Sequence, residues 1–255
     1  SGAGAGIRAG VLRVMLSVVM PAYNEEAVIA ATVTALAAEL DRAAVPYEIL
    51  VVNDKSRDGT ERVLLELERD WPHVRHVTNP GPHGYGCAVR HGLAHFAGDA
   101  VVVAMADGSD APADVVTYWR AIEEGYDCAF GMRFGPGTKV EGYPRFKRVL
   151  NRLGNRMIAW LVGSDYTDFT NGFKCFRREV VERMQPLVGA QFNLTVEMSM
   201  KAVLGRARFA VVPNSWIERA AGESKFQVVK LVKMYLATIA YVLLQHRLQR
   251  GGIVR

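Results

Sequence analysis

Tyr47-Glu48-Ile49-Leu50-Val51-Val52-Asn53-Asp54 is the stretch on which the fold of this chain turns. A short apolar run, rich in β-branched residues and closed by the turn-forming pair Asn53-Asp54, reads as a buried parallel strand. A second run, Ala100 to Ala106, closes in the same way at Asp107. Acidic side chains at the carboxyl ends of such strands point into the crevice where open α/β sheets bind ligands. A carboxylate there suits the ring N–H groups and ribose hydroxyls of a nucleotide, or a divalent ion bridging two phosphates. Asp and Asn also favour strand ends for local hydrogen bonding alone. The repetition on two strands favours the ligand reading.

Working outward, strands are expected at Leu16–Met20, Val74–Thr78, Cys128–Met132 and Ala207–Val212. Helices are expected from the turn after Pro21 through Leu40, then at Glu61–Asp70, Gly86–Phe96, Ala113–Glu124, Lys147–Val162 and Leu194–Leu204. Alternation of this kind implies right-handed crossovers and an α/β fold with a mostly parallel central sheet flanked by helices. Residues 1–13 read as a flexible tail without the apolar core of a signal peptide. Residues 14–225 read as one domain, and 226–255 as an appended apolar and basic helix. With 255 residues, half of them hydrophobic, the chain is ample for one large core. The three cysteines, Cys87, Cys128 and Cys175, have neither disulfide nor metal spacing, which suggests a reducing compartment. The net charge of +5 gathers in the stretch from Arg145 to Arg156 and in the tail. Such patches attract phosphorylated substrates or anionic headgroups, and no nucleic-acid-binding signature accompanies them.

The motifs sharpen this. Pro21-Ala22-Tyr23-Asn24-Glu25-Glu26 follows the first strand, and Asn53-Asp54-Lys55-Ser56-Arg57-Asp58-Gly59-Thr60 the second. Gly84-Tyr85-Gly86-Cys87-Ala88, Gly131-Met132-Arg133-Phe134, Asp168-Phe169-Thr170-Asn171-Gly172-Phe173-Lys174, Phe192 through Glu197-Met198 and Arg219-Ala220-Ala221-Gly222-Glu223-Ser224-Lys225 come later, in order. Together they resemble the inverting family 2 glycosyltransferases, in their polyprenyl-phosphate (dolichol-phosphate mannose synthase-like) branch.

The resemblance implies a GT-A-type nucleotide-binding fold and transfer of a hexose from a nucleotide sugar, GDP-mannose or a UDP-sugar, to polyprenyl phosphate. It assigns Pro21, Tyr23, Asn24, Glu25, Asp54, Gly84, Gly86, Ala106 and Asp107 to the nucleotide-sugar site. Asp107 would also hold Mg²⁺ or Mn²⁺ against the pyrophosphate. The family's Asp-x-Asp element has Met105 at its first position here, and a thioether is a poor ligand for a hard cation. Ser109 and Asp110 are the nearby candidates for completing the site, and either could instead cap the helix after Pro112. Lys55 replaces the family's usual Gly; it could pair with Asp54, reach a phosphate or lie solvated in the turn. Arg133, Arg219 and Lys225 resemble the cations that grip the acceptor phosphate. Asp107, Asp168, Arg133 and Glu197 are the catalytic candidates, with Asp168 and Glu197 open to basic or orienting roles.

The segment Phe226–Leu248 lacks the roughly 20 uninterrupted apolar residues of a membrane span. It is expected to lie in a membrane interface or to pack on the domain or a twin subunit. A peripheral position on the cytoplasmic face of the cell membrane follows from the lipid acceptor. A soluble metabolite or glycan as acceptor, and an inactive scaffold, are the alternatives.

Overall fold

The computed structural model describes residues 13–135, 138, 140–141, 145–214, 216–217 and 228–252. Its centre is β1 (Leu16–Ala22), buried along its whole length. β1 pairs in parallel with β2 (Tyr47–Asn53) on one side and β4 (Ala100–Val103) on the other. β3 (Val74–Thr78) extends the sheet beyond β2. On the far side lie β5 (Cys128–Met132), β7 (Lys174–Arg177) and β8 (Phe209–Pro213), giving the order β3-β2-β1-β4-β7-β5-β8. β7 runs antiparallel to both β4 and β5, so one reversed strand joins two parallel sets. Two residues each form β6 (Val140–Glu141) and β9 (Trp216–Ile217), a separate parallel pair.

Strand alternation divides the core. Val18, Met20, Ile49 and Val51 pack with Ile29 and Val33 of α1 (Ile29–Arg42), Leu64 of α2 (Thr60–Asp70) and Tyr118 of α4 (Pro112–Glu123). Val19, Leu50 and Val101 face the other side. There they meet Val89 of α3 (Tyr85–Leu93), Ile158 of α5 (Arg145–Val162) and Val196 of α7 (Asn193–Leu204), with Ile239 of α8 (Val228–Arg250) in the same cluster. Burying aliphatic side chains on both faces is what the continuous apolar runs encode, at about 1.5–3 kcal/mol per side chain.

Two elements depart from the sequence reading. The fourth strand stops at Val103, because Ala104 makes its last bond to the Val19 carbonyl (3.1 Å). Asp110 then accepts the Met105 N–H at 2.8 Å and folds the chain into a loop. A six-residue helix, α6 (Arg178–Arg183), also follows β7. Among the described residues no helix is long and apolar enough to cross a membrane. α8 lies along α7, with Asn193 Nδ2 donating to Thr238 Oγ1 at 2.9 Å.

Candidate active site

Because β1, β2 and β4 are parallel, their carboxyl ends share one sheet edge, where Ala22 stands opposite Asn53. Here the two halves of the opening stretch divide their work. Asn53 Oδ1 accepts the Ser56 N–H at 3.0 Å and shapes the turn. Asp54 is buried and anchored: Asn79 Nδ2 donates to Oδ1 (2.7 Å), and the Gly84 N–H to Oδ2 (2.8 Å). His83 Nδ1 lies 2.8 Å from the same Oδ2, and its ring packs on Tyr23 with centroids 4.3 Å apart. Tyr23 is 40 % exposed, whereas Pro21 and Ala106 are buried.

The neighbouring loops are stapled together. Asn24, at φ 56°, accepts the Arg57 N–H on Oδ1 at 2.7 Å, and the Glu25 N–H donates to Thr60 Oγ1 at 2.9 Å. Lys55 sits at φ 64°, the left-handed region that costs an ordinary residue about 1 kcal/mol and Gly nothing. Its ammonium donates to the Gly81 carbonyl at 2.6 Å, so it closes the loop after β3. Gly84 and Gly86 are glycines for a packing reason as well. A Cβ on either would come within 2.5 Å of a carbonyl oxygen, that of Ala190 or Gly189 respectively. Glu197 holds that 188–190 segment: fully buried, it accepts the Gly189 N–H at 2.7 Å and pairs with Lys201 Nζ at 2.9 Å.

Past β4, Asp107 Oδ1 accepts the Ser109 N–H at 2.9 Å. α4 begins at Pro112 behind Ala111 with no side-chain cap, so neither Ser109 nor Asp110 takes the capping role. Burial pushes the Asp110 carboxyl up to about 7, and the nearby charges of Asp107 and Asp114 push in the same direction. The carboxylates of Asp107 and Asp110 are hard oxygen donors of the kind suited to Mg²⁺ or Mn²⁺. Among the described residues no group of three or more His, Cys, Asp or Glu side chains converges as a complete metal cage.

Beyond the reversed strand lies Arg133, locked to the buried Asp168. Nη2 reaches Oδ1 at 2.6 Å and Nε reaches Oδ2 at 3.1 Å, while the Arg133 N–H also donates to Oδ2 at 2.8 Å. Nη2 further donates to Thr170 Oγ1 at 3.0 Å, and Asn151 Nδ2 donates to the same oxygen at 2.8 Å. Asn151 and Thr170 form one wall of an apolar cavity of about 540 Å³ between α5 and α8, with Leu150, Leu153, Met157 and Leu236 among its lining. Phe134 lies beside both Arg133 and Arg148, at 5.5 and 5.7 Å from ring centre to guanidinium. Arg148 Nε is buried without a hydrogen-bond partner among the described residues. Beneath this turn the buried Lys174 donates to the carbonyls of Phe169 and Asn171. Arg219 and Lys225 lie outside the described residues.

Residues 17–185 match the family model of glycosyl transferase family 2. The chain belongs to that family. It is a glycosyltransferase by that membership, and its likeness extends to the polyprenyl-phosphate branch. It is 30 % identical over 250 residues to the polyprenol monophosphomannose synthase of Mycolicibacterium smegmatis, covering 93 % of this chain and 91 % of that protein. It is 31 % identical over 217 residues to the dolichol-phosphate mannosyltransferase of Pyrococcus furiosus, covering 83 % of this chain and 59 % of that longer protein. Among solved structures it resembles glucosyl-3-phosphoglycerate synthase from Mycobacterium tuberculosis, in complex with Mn²⁺, UDP and glucosyl-3-phosphoglycerate. That match has a TM-score of 0.65 at 22 % identity, over 95 % of this chain and 81 % of that one. The structural match shows a shared GT-A fold.

Sequence reasoning passed over His83, Asn79 and Thr170. All three sit in loops, and the first two follow β3 at the sheet edge that already carried Asp54. That shared edge was the available signal.

Proposed function

We propose that this glycosyltransferase moves one hexose, with inversion, from a nucleotide sugar to the phosphate of a polyprenyl phosphate. The observation that carries this reading is that Thr170, in the wall of the apolar α5–α8 cavity, accepts a hydrogen bond from Arg133 Nη2. An isoprenoid chain offers apolar surface and no hydrogen-bonding groups, and its single phosphate must find cations at one end. The cavity meets the first need and Arg133 with Arg148 the second. The names of the two mannosyltransferase relatives point the same way and favour mannose as the sugar.

On the donor side, Tyr23 offers a face for the base and Asp54 an acceptor for ring N–H or ribose hydroxyl. Asp107 and Asp110, with Ser109 beside them, are the residues that would hold Mg²⁺ or Mn²⁺. When bound, that ion neutralises charge on the departing diphosphate. A phosphate monoester is already largely ionised near pH 7, its second pKa being about 6, so the nucleophile needs no strong base. One of its oxygens forms the new bond to the anomeric carbon. The bond from that carbon to the diphosphate breaks, and the electron pair leaves with the nucleoside diphosphate. Asp168, with both oxygens on Arg133, orients that cation rather than removing a proton. Glu197 shapes the 188–190 segment.

The acceptor's lipid character places the enzyme at a membrane surface. α5 fits such a setting, since Phe146, Leu153 and Trp160 are 73 %, 65 % and 81 % exposed beside Arg152 and Arg156. The test is transfer of labelled sugar from GDP-mannose, UDP-glucose and a UDP-N-acetylhexosamine into solvent-extractable lipid, with Mn²⁺ and polyprenyl phosphate supplied. Nucleoside diphosphate released only with a soluble phosphorylated acceptor would replace the lipid with that acceptor. Failure to release nucleoside diphosphate with any acceptor tried would refute transfer.

A further inference from the structure

A side chain of this chain already occupies the place where a donor's base would meet Tyr23 and Asp54. The His83 imidazole packs on Tyr23 at 4.3 Å between centroids, tilted by 48°. Its Nδ1 lies 2.8 Å from Asp54 Oδ2, and 3.2 Å from the Asp54 carbonyl oxygen. We propose that His83 is a stand-in for the nucleobase, which an incoming donor must displace, so that His83 sets donor affinity by competing for Tyr23 and Asp54. This rests on the donor reading given above.

The surroundings explain how one side chain can do this without disturbing the loop. The loop backbone is pinned on both sides of His83. Asn79 is buried, accepts the Gly81 N–H on Oδ1 at 3.0 Å and donates to the Pro82 carbonyl at 2.9 Å. On the other side the Gly84 N–H is fixed to Asp54. The His83 side chain itself is 53 % exposed, so rotation about its own bonds carries it into water with no backbone change. Asp54 has reason to hold a substitute. It is buried, and an ionised carboxylate with about four acceptor positions is costly to leave short of donors. Asn79 and Gly84 supply two, and the imidazole edge, 2.8 Å from Oδ2 and hydrogen-bonded to the Asp54 carbonyl, fills the space from which a base N–H would supply the third. A flat ring with an N–H at its edge shares a nucleobase's planar shape and its edge donor.

A residue that merely added a contact to bound donor would lower affinity when removed. A stand-in does the reverse, because the binding-competent fraction rises when the competitor is gone. Calorimetric titration of the full chain with GDP and with UDP, in Mn²⁺, compares wild type with His83→Ala and His83→Phe. For the nucleotide that wild type binds, His83→Ala should tighten Kd about fivefold, the size of one net hydrogen bond. His83→Phe should fall between them, since it keeps the ring contact and loses the donor. Equal or weaker binding by His83→Ala overturns the proposal while leaving the donor site in place. Failure of every form, wild type included, to bind either nucleotide would end the donor reading and this one together. Nuclear magnetic resonance gives a second readout: the His83 imidazole signal, assigned by its loss in His83→Ala, should shift when nucleoside diphosphate saturates the protein. A signal that stays fixed at saturation means the ring has not moved, and overturns displacement.

Discussion

The proposed donor and acceptor sides of this site are built on opposite principles. On the donor side the polar side chains find partners within the protein: Asp54 with Asn79 and Gly84, Asn24 with the Arg57 N–H, Lys55 with the Gly81 carbonyl. On the acceptor side α5 turns Phe146, Leu153 and Trp160 outward, and the cavity beside it is lined almost wholly by carbon. Hydrogen-bonded loops fix direction, which a nucleotide's base, ribose and diphosphate can read. Exposed apolar surface gives area without direction, which would suit the flexible isoprenoid proposed as acceptor. The reversed strand β7 divides the two, with β4 and the donor loops on one side and β5 with Arg133 on the other.

The comparison breaks most readily on its donor side. Asp107→Ala should lower transfer by about 10³-fold or more, through loss of charge stabilisation at the leaving diphosphate. Initial rates and Mn²⁺-dependent calorimetry of donor binding check this, with the melting temperature expected to hold. Retained activity would move the metal away from this loop. Next comes the Arg133–Asp168 pair at the proposed acceptor phosphate site. Asp168→Ala leaves the Arg133 guanidinium buried without its carboxylate and should cost about 3–5 kcal/mol in urea unfolding. Adding Arg133→Met to Asp168→Leu should recover most of that stability without recovering transfer. Recovered transfer would show that Arg133 does not hold the acceptor.

The acceptor side can be sharpened independently. Leu153→Glu combined with Trp160→Glu should weaken binding to vesicles carrying polyprenyl phosphate about tenfold or more. Each site gives up part of the 1.5–3 kcal/mol that burying a large apolar side chain contributes. Donor Kd should not change. Equal loss on both sides would mean the two regions are one cooperative unit rather than two.

How much of this was legible beforehand follows the same division. The five strands from Leu16 to Met132 announced themselves because buried parallel strands are continuous apolar runs, and their ends placed Asp54 and Asp107 on one edge. Ala104 to Ala106 overran the strand, since small apolar residues serve a buried loop as well as a strand. The partners were hidden. Nothing local in the sequence says that His83 meets Tyr23, or that both oxygens of Asp168 go to Arg133, because the contacts span 60 and 35 positions and depend on strand order. The reversed direction of β7 was equally hidden, since a four-residue strand carries no mark of its polarity. Lys55 was weighed for its charge alone, whereas its φ of 64° and its bond to the Gly81 carbonyl show that conformation and loop closure matter there.

The smallest effect concerns Lys174, which lies on β7 where the two regions meet. It is buried among the Phe130 and Tyr166 rings and donates to backbone carbonyls, with the negative charge of Asp168 already taken by Arg133. Burial pulls its ammonium down from 10.5 to about 7, with Asp168 opposing and Arg133 reinforcing the change. The native state therefore holds fewer protons than the unfolded chain between about pH 7 and about pH 10.5. Stability from this group is full above the unfolded value and is lost as pH falls toward about 7. The unfolding free energy of wild type minus that of Lys174→Met should thus rise with pH across that window, by at most about 1.4 kcal/mol per pH unit. Denaturant titrations at several pH values give the slope, and the difference cancels other groups that titrate alike in both proteins. A flat difference would mean that the carbonyls and ring faces keep Lys174 charged. The seam between donor and acceptor sides would then carry a permanent buried cation, and the satisfied polar character of the donor loops would extend through β7 to Arg133.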